Sequence, residues 1–206
     1  MLQTQTVNRK LLELLNKLMT IELFNDFNLV GGTSLALQKG HRISIDIDLF
    51  GNSEIDELEF TNVLQDLGKL TILKKSKNII IFSVDGIKVD FVNYKYPLLE
   101  TPLYIQNIRL VSQKDIAAMK LNAISGRGSK KDFIDLFFLL QNFTLEEMIG
   151  FYRQKYKDGS EFLVLKSLNY FDDADTEDTP IMIIKSPWEE IKQKIREVTE
   201  EYLKKL

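Results

Sequence analysis

The sequence predicts an α/β protein in which a sheet-containing core is followed by a helical region. Apolar residues over 7–27 recur at the spacing of one helix face, which predicts an amphipathic helix near the start of the chain. Runs rich in β-branched and aromatic residues predict strands further on, at 70–75, 78–84, 87–94 and 103–111. Beyond these strands the apolar pattern is helical. We therefore expect an α/β core over residues 1–110 and a helical region over residues 111–206.

Composition is that of an ordinary folded protein and restricts the metal chemistry that the chain can support. The 206 residues are 44% hydrophobic and 28% charged, and no apolar run reaches the length of a membrane span. The N-terminus lacks the apolar core of a signal peptide, so we expect a cytoplasmic location and no membrane partner. The chain has no cysteine and one histidine, so any metal must be held mainly by oxygen. A net charge of −3 argues against a globally basic nucleic-acid binder.

A pair of glycines between a predicted strand at 29–30 and a predicted helix at 33–39 indicates a phosphate site. Because glycine has no Cβ, the backbone there can turn sharply and approach a ligand closely. The N–H groups that open the helix attract an anion, and two hydroxyl residues directly follow the glycines. The predicted phosphate-binding residues are Gly31, Gly32, Thr33 and Ser34.

Two aspartates on the next predicted strand form a candidate metal site. Side chains alternate along the run 45–49, so its isoleucines and leucine share one face while Asp46 and Asp48 share the other. Their Cα atoms would lie roughly 6–7 Å apart, and like charges at that spacing repel unless a cation lies between them. Mg²⁺ prefers carboxylate oxygens and keeps positions open for phosphate. The alternative is a tight turn followed by an edge strand with two solvated acids.

A third candidate carboxylate lies on the strand predicted over 87–94. Alternation places the apolar residues of this strand on one face and Lys88 and Asp90 on the other. We expect Asp90 to join Asp46 and Asp48, because a third acid can accept the proton of an attacking hydroxyl or help to hold a metal. The alternative is an ordinary exposed acid on a strand.

The stretch GGTSLALQKGHRISIDIDLF, at residues 31–50, resembles the opening motif of the nucleotidyltransferase superfamily, in the form found in AbiEii/AbiGii-type abortive-infection toxins. The resemblance implies the nucleotidyltransferase fold, a mixed twisted sheet flanked by helices, followed here by a helical C-terminal region. It implies an NTP substrate and Mg²⁺ held by the three acids. It also assigns Arg42 and Ser44, which lie inside the motif, to nucleotide or phosphate binding.

A second stretch, DIAAMKLNAISGRGSKKDFIDLFFLL at residues 115–140, resembles the second signature of the same family, which completes the nucleotide site. The pattern predicts two helices separated by a glycine-containing turn at 126–129. Basic side chains there can offset the charge of a triphosphate, and acids three residues apart on a helix share one face and can orient those cations. The matching residues are Lys120, Arg127, Lys131, Asp132 and Asp135. The alternative is a helical hairpin whose charged residues make ordinary surface pairs.

These residues predict transfer of a nucleoside monophosphate from an NTP to an acceptor hydroxyl, with release of pyrophosphate. The predicted catalytic residues are Asp46, Asp48, Asp90 and Lys120. The resemblance implies the toxin of a bacterial toxin–antitoxin or abortive-infection pair, with a cognate antitoxin and with tRNA as a plausible acceptor. Two alternatives stay open: a small-molecule nucleotidyltransferase of the antibiotic-modifying kind, and a non-catalytic nucleotide- or RNA-binding module of the same fold.

Overall fold

The computed structural model describes residues 1–205 and divides the chain into two compact units. Unit 1 comprises Met1–Tyr96 and Thr101–Val111. Unit 2 comprises Pro97–Glu100 and the chain from Ser112 onward. The short segment Pro97–Glu100 therefore belongs to unit 2, although unit 1 flanks it in sequence on both sides.

Unit 1 is a mixed α/β structure, which confirms the predicted fold class. Its helices are α1 (Arg9–Thr20), α2 (Gly31–Lys39) and α3 (Glu57–Leu64), with 3-10 turns at Thr4–Thr6, Glu22–Phe24 and Gln65–Leu67. Its strands are β1 (Asn28–Leu29), β2 (Ile47–Gly51), β3 (Leu70–Ser76), β4 (Ile79–Val84), β5 (Ile87–Asn93), β6 (Leu103–Ile105) and β7 (Ile108–Leu110). The strands form one seven-stranded sheet in the order β3-β4-β5-β2-β1-β7-β6.

The centre of the sheet is mixed, with one parallel pair on either side of an antiparallel pair, and its margins are antiparallel hairpins. The pairs β2–β5 and β1–β7 are parallel, whereas β1–β2, β3–β4, β4–β5 and β6–β7 are antiparallel. Phe91 on β5 anchors this centre, because its ring meets four other phenylalanine rings at centroid distances between 4.6 and 6.3 Å. Those contacts fix the strand that carries Asp90 against the core.

The first helix is shorter than the periodicity predicted. Asn8 caps α1 by accepting a hydrogen bond from the Leu11 N–H at 2.8 Å, and the helix ends at Thr20. A 3-10 turn follows, because the buried guanidinium of Arg109 draws the carbonyls of Met19, Phe24 and Phe27 together at 2.9, 2.8 and 3.1 Å. An arginine far along the chain thus donates to the Met19 carbonyl at the end of α1, which no local pattern could reveal.

Hairpins join β3 to β4, β4 to β5 and β6 to β7, and the sequence carries a clear turn signal for the second of them. Asp85 and Gly86 link β4 to β5 with φ values of 49° and 83°, as the Asp-Gly signal indicates. The predicted single strand 103–111 is wrong, because the chain reverses between β6 and β7. There Gln106 and Asn107 adopt φ values of 52° and 65° without any glycine to mark the turn.

Unit 2 is built from helices, as the pattern after residue 111 predicted. They are α4 (Gln113–Arg127), α5 (Lys130–Leu139), α6 (Leu145–Lys155), α7 (Glu161–Ser167), α8 (Asp172–Asp175) and α9 (Trp188–Leu203). The ring of Trp188 packs against Phe133 and Phe171 at centroid distances of 6.2 and 5.9 Å, so it is a packing anchor of this unit. Within residues 1–205, no helix combines the length and the apolar character that crossing a membrane requires.

A buried ion pair holds Pro97–Glu100 to the helices of unit 2. The Lys155 ammonium lies 2.7 Å from Asp115 Oδ1, and both side chains are fully buried. Lys155 also donates to the Pro97 carbonyl at 2.7 Å, and Asp115 accepts from the backbone N–H groups of Leu99 and Glu100 at 2.9 and 3.3 Å. Both charges are therefore surrounded by partners, as burial demands.

Candidate active site

Asp48 and Asp90 lie side by side on the two central parallel strands of unit 1. They are register partners across β2 and β5, and the neighbouring pair Leu49 and Phe91 is buried in the core. Parallel strands run about 4.8 Å apart, and register partners project to the same face. The sheet therefore brings these two carboxylates together on the face opposite the core.

Asp46 stands one residue before β2, so the predicted strand 45–49 starts too early. Strand pairing begins at Ile47, and Ile45 is 65% exposed, so its predicted place on the core face is wrong. Hydrogen bonds outside the sheet hold the backbone before Ile47. The Thr33 hydroxyl donates to the Asp46 carbonyl, and the Ser44 N–H donates to the Thr6 carbonyl at 2.8 Å. These bonds keep Asp46 next to the start of α2.

The first turn of α2 begins at Gly31, two residues earlier than predicted. Gly31 has a φ of 65°, and a Cβ added there would lie 2.6 Å from Asp48 Oδ2. The glycine is therefore required by both its conformation and its contact with the carboxylate. The N–H groups that open α2 consequently lie beside Asp48, where they can bind an anion.

We expect Gly31→Ala to reduce nucleotide transfer by about a hundredfold, because a methyl group would displace the Asp48 carboxylate from its position. The matched control is Gly86→Ala. Gly86 has a φ of 83°, but among the described residues nothing lies within 4 Å of its added Cβ. Both variants should lose about 1 kcal/mol of unfolding free energy from backbone strain, yet only the first should lose activity. Equal transfer rates for the two would contradict this role of Gly31.

Thr33, Ser34 and Ser44 are buried and take part in hydrogen bonds inside unit 1. The Thr33 and Ser44 hydroxyls lie 2.8 Å apart, and Ser34 Oγ accepts from Gln38 Nε2 at 3.2 Å. Arg42 is buried as well and donates to the Ile43 carbonyl at 3.1 Å. The bond between Thr33 and Ser44 links α2 to the loop that leads to Asp46, and direct phosphate binding by these side chains stays a prediction.

Lys88 is a residue to which the sequence analysis gave no role. Its ammonium lies 2.6 Å from each Asp90 carboxylate oxygen and forms a hydrogen bond with Oδ2. Oδ1 of Asp90 is buried and has no hydrogen-bond partner within the described chain. Burial opposes the charge of Lys88, but Asp90, Asp48 and Asp46 together raise the pKa of the lysine. Alternation along β5 already placed Lys88 beside Asp90, which was the signal available in the sequence.

The carboxylates of Asp46, Asp48 and Asp90 are of the ligand type that divalent metals prefer, although they are not arranged as a complete metal-binding site. Among residues 1–205, no three histidine, aspartate or glutamate side chains converge closely enough to hold an ion. The three carboxylates nevertheless provide the oxygen ligands that Mg²⁺ prefers. Oδ1 of Asp90 is a buried oxygen without a hydrogen bond among the described residues. The Lys88 ammonium already places one positive charge beside these acids. Asp46, Asp48 and Asp90 therefore stay the predicted ligands of such an ion.

The remaining predicted site residues lie in unit 2, where Lys120 is held by two carboxylates. The nearly buried Lys120 ammonium lies 2.8 Å from Asp132 and 2.7 Å from Asp135. Asp132 also forms a capping box with Ser129 at the start of α5. Burial by itself would raise the pKa of Asp132, but Lys120 and Ser129 lower it overall.

Arg127 and Lys131 are exposed cations near the junction of α4 and α5. The predicted turn at 126–129 is too long, since α4 continues through Arg127 and only Gly128 and Ser129 separate the helices. Arg127 therefore extends from the last turn of a helix, where a cation is also favoured by the helix dipole.

Similarity to solved structures agrees with this fold. A putative nucleotidyltransferase from H. pylori superposes with a TM-score of 0.60 at 17% identity, covering 96% of this chain and 93% of the other. The antibiotic-resistance factor ANT(2″)-Ia, in complex with adenylyl-2″-tobramycin, gives a TM-score of 0.51 at 12% identity, covering 72% and 97% of the two chains. The sheet with its in-register carboxylates and glycine-opened helix therefore has the nucleotidyltransferase fold.

The chain belongs to the nucleotidyl transferase AbiEii toxin family of type IV toxin–antitoxin systems. The family's sequence model matches residues 13–70 and 81–205, which include both stretches that resembled it. An uncharacterized protein of Aquifex aeolicus is 39% identical over 197 residues, covering 93% of this chain and 95% of the relative. The protein is accordingly a nucleotidyltransferase of the AbiEii type, and a cognate antitoxin is implied by the family.

Proposed function

We propose that this nucleotidyltransferase is a Mg²⁺-dependent, cytoplasmic toxin that moves a nucleoside monophosphate from an NTP to an RNA hydroxyl, with tRNA as the acceptor. The observation that carries the proposal is the in-register pair Asp48 and Asp90, placed on the face opposite the core beside the Gly31 backbone. Carboxylates next to a helix N-terminus supply the metal ligands and the phosphate contacts that this reaction requires.

In the proposed reaction, the acceptor hydroxyl oxygen attacks the α-phosphorus of the NTP. A new oxygen–phosphorus bond forms, the bond from the α-phosphorus to the bridging oxygen breaks, and pyrophosphate leaves. Asp90 accepts the hydroxyl proton, and the N–H groups of the first turn of α2 bind phosphate oxygens. Mg²⁺ held by Asp46, Asp48 and Asp90 would supply the charge that offsets the triphosphate.

The unit 2 residues are proposed as nucleotide contacts, as the family resemblance implies. Asp132 and Asp135 hold the Lys120 ammonium in one position, so it can act as a preorganised cation. Arg127 and Lys131 are exposed and can contact phosphate oxygens.

Two other functions compete with transfer to tRNA. The fold of ANT(2″)-Ia, seen with an adenylylated tobramycin, supports a small-molecule acceptor as the second candidate. A non-catalytic binding module has less support, because binding alone would not require Asp46, Asp48, Asp90 and Lys120 together. The nature of the acceptor therefore separates the candidates.

The test is incubation of the purified protein with each of the four α-phosphate-labelled NTPs and Mg²⁺, with total tRNA or tobramycin as the acceptor. We expect label on RNA, dependent on Mg²⁺ and abolished by EDTA. Label on tobramycin alone would establish the small-molecule reaction instead. Nucleotide binding without label on either acceptor would favour the binding module and overturn the proposed reaction.

A further inference from the structure

The Lys88 ammonium is placed as a cation within the acidic face of β2 and β5. It lies 2.6 Å from both oxygens of Asp90, and the register partner of Asp90 is Asp48. The charges of Asp48 and Asp46 also act on Lys88. One positive charge therefore faces three negative ones, which would otherwise repel one another.

The contact between Lys88 and Asp90 differs from a saturated hydrogen-bonded pair. The ammonium is equally close to both carboxylate oxygens, yet only Oδ2 is hydrogen-bonded, and Oδ1 is left without a hydrogen bond among the described residues. The Lys88 ammonium therefore contacts both carboxylate oxygens of Asp90, so a metal ion bound by Asp90 would have to share or displace this contact.

The Lys88 side chain can leave this position without disturbing the core. It is 39% exposed, whereas the Asp90 side chain is 15% exposed. Val89, the residue between them, points into the core and holds the strand in place. A long flexible stem can therefore swing the ammonium towards solvent while the backbone of β5 stays fixed.

We propose that Lys88 is a built-in counter-ion, which holds the three carboxylates together before a divalent cation binds and competes with that cation for them. This inference rests on the proposed function, since it concerns the same three acids. Lys88 is then a positioning residue that sets metal affinity, with no contact to the reacting atoms required. With Lys88 present, the site should bind the metal more weakly than the same three acids would without the lysine. It should also release the metal more readily between turnovers.

The test compares Lys88→Met with Lys88→Arg and with Lys74→Met, a change of an exposed lysine on β3. Mn²⁺ affinity is measured by titration calorimetry, and thermal unfolding is followed in EDTA and in Mn²⁺. Without the competing charge, Lys88→Met should bind Mn²⁺ about tenfold more tightly than the wild type. It should also unfold at a lower temperature in EDTA and recover when Mn²⁺ is added. The arginine variant keeps the charge and should stay near wild type, as should Lys74→Met.

The outcomes separate failure of the counter-ion role from failure of the proposed function. If the wild type transfers nucleotide but Lys88→Met binds Mn²⁺ with unchanged or weaker affinity, the counter-ion role is overturned and the enzymatic function stands. A stability loss in Lys88→Met that Mn²⁺ does not repair would indicate a purely structural lysine, which also overturns the inference. If the wild type neither binds Mn²⁺ nor transfers nucleotide, the proposed function fails and the inference fails with it.

Discussion

Asp48→Asn is expected to lower nucleotide transfer by about a thousandfold or more, because in the proposed reaction it removes one of the charges that would hold Mg²⁺ against the triphosphate. Asparagine has nearly the shape of aspartate, and Asp48 faces away from the core strand residues Ile47 and Leu49. Removing the negative charge of Asp48 also relieves its repulsion with Asp90, the register partner of Asp48. The folded protein should therefore be as stable as the wild type. Transfer of labelled nucleotide and thermal unfolding in EDTA measure the two effects.

Asp66→Asn is the matched control for this variant, since it removes an exposed acid of unit 1 outside the candidate site. We expect it to keep full transfer activity. If Asp48→Asn transferred nucleotide at the same rate as this control, the candidate site would be in the wrong place. If Asp48→Asn were inactive only because it unfolded, the melting temperature would reveal it.

Lys155→Met is expected to destabilise the protein by about 3–5 kcal/mol, the largest effect on stability that we anticipate. Its ammonium neutralises Asp115 at 2.7 Å, and both side chains are fully buried. Methionine fills similar space but leaves the Asp115 carboxylate charged without a cation in a low-dielectric interior. Urea unfolding followed by circular dichroism gives the free-energy difference.

Lys114→Met provides the comparison, because Lys114 pairs with Glu100 at 2.6 Å with both side chains about 40% exposed. An exposed pair of this kind contributes less than about 1 kcal/mol. The double change of Asp115→Asn with Lys155→Met removes both buried charges and should recover part of the lost stability. Equal losses for Lys155→Met and Lys114→Met would show that the buried pair has no special role.

Local patterns in the sequence revealed the acids of the candidate site but not their mutual arrangement. Alternation placed Asp46 and Asp48 on one face and Asp90 on the polar face of its own strand. The parallel pairing of β2 with β5, which puts Asp48 opposite Asp90, joins residues about forty positions apart. Such pairing depends on how the whole sheet assembles, and no short window of sequence encodes it.

Long-range contacts explain two of the three features that sequence reasoning missed. Ile45 is apolar and follows the alternating pattern, yet distant backbone hydrogen bonds hold its segment out of the sheet. The reversal at Gln106 and Asn107 lacks the glycine that usually marks a tight hairpin. Arg109 binds the Met19 carbonyl at the end of α1 from far along the chain. For Ile45 and Arg109 a long-range contact thus outweighs the local preference, whereas the hairpin between β6 and β7 is local and lacks only the glycine signal.

The path of the chain through Pro97–Glu100 determines how this protein can be dissected. A fragment cut at residue 111 would lack the two N–H groups that bond Asp115 and the carbonyl that receives Lys155. In the helical fragment, Asp115 and Lys155 would then lack these hydrogen-bond partners. Instability of the fragment would therefore say nothing about the role of the helices in the intact enzyme. Permuting the chain, so that residues 97–100 stay covalently joined to the helices, is the sounder way to isolate them.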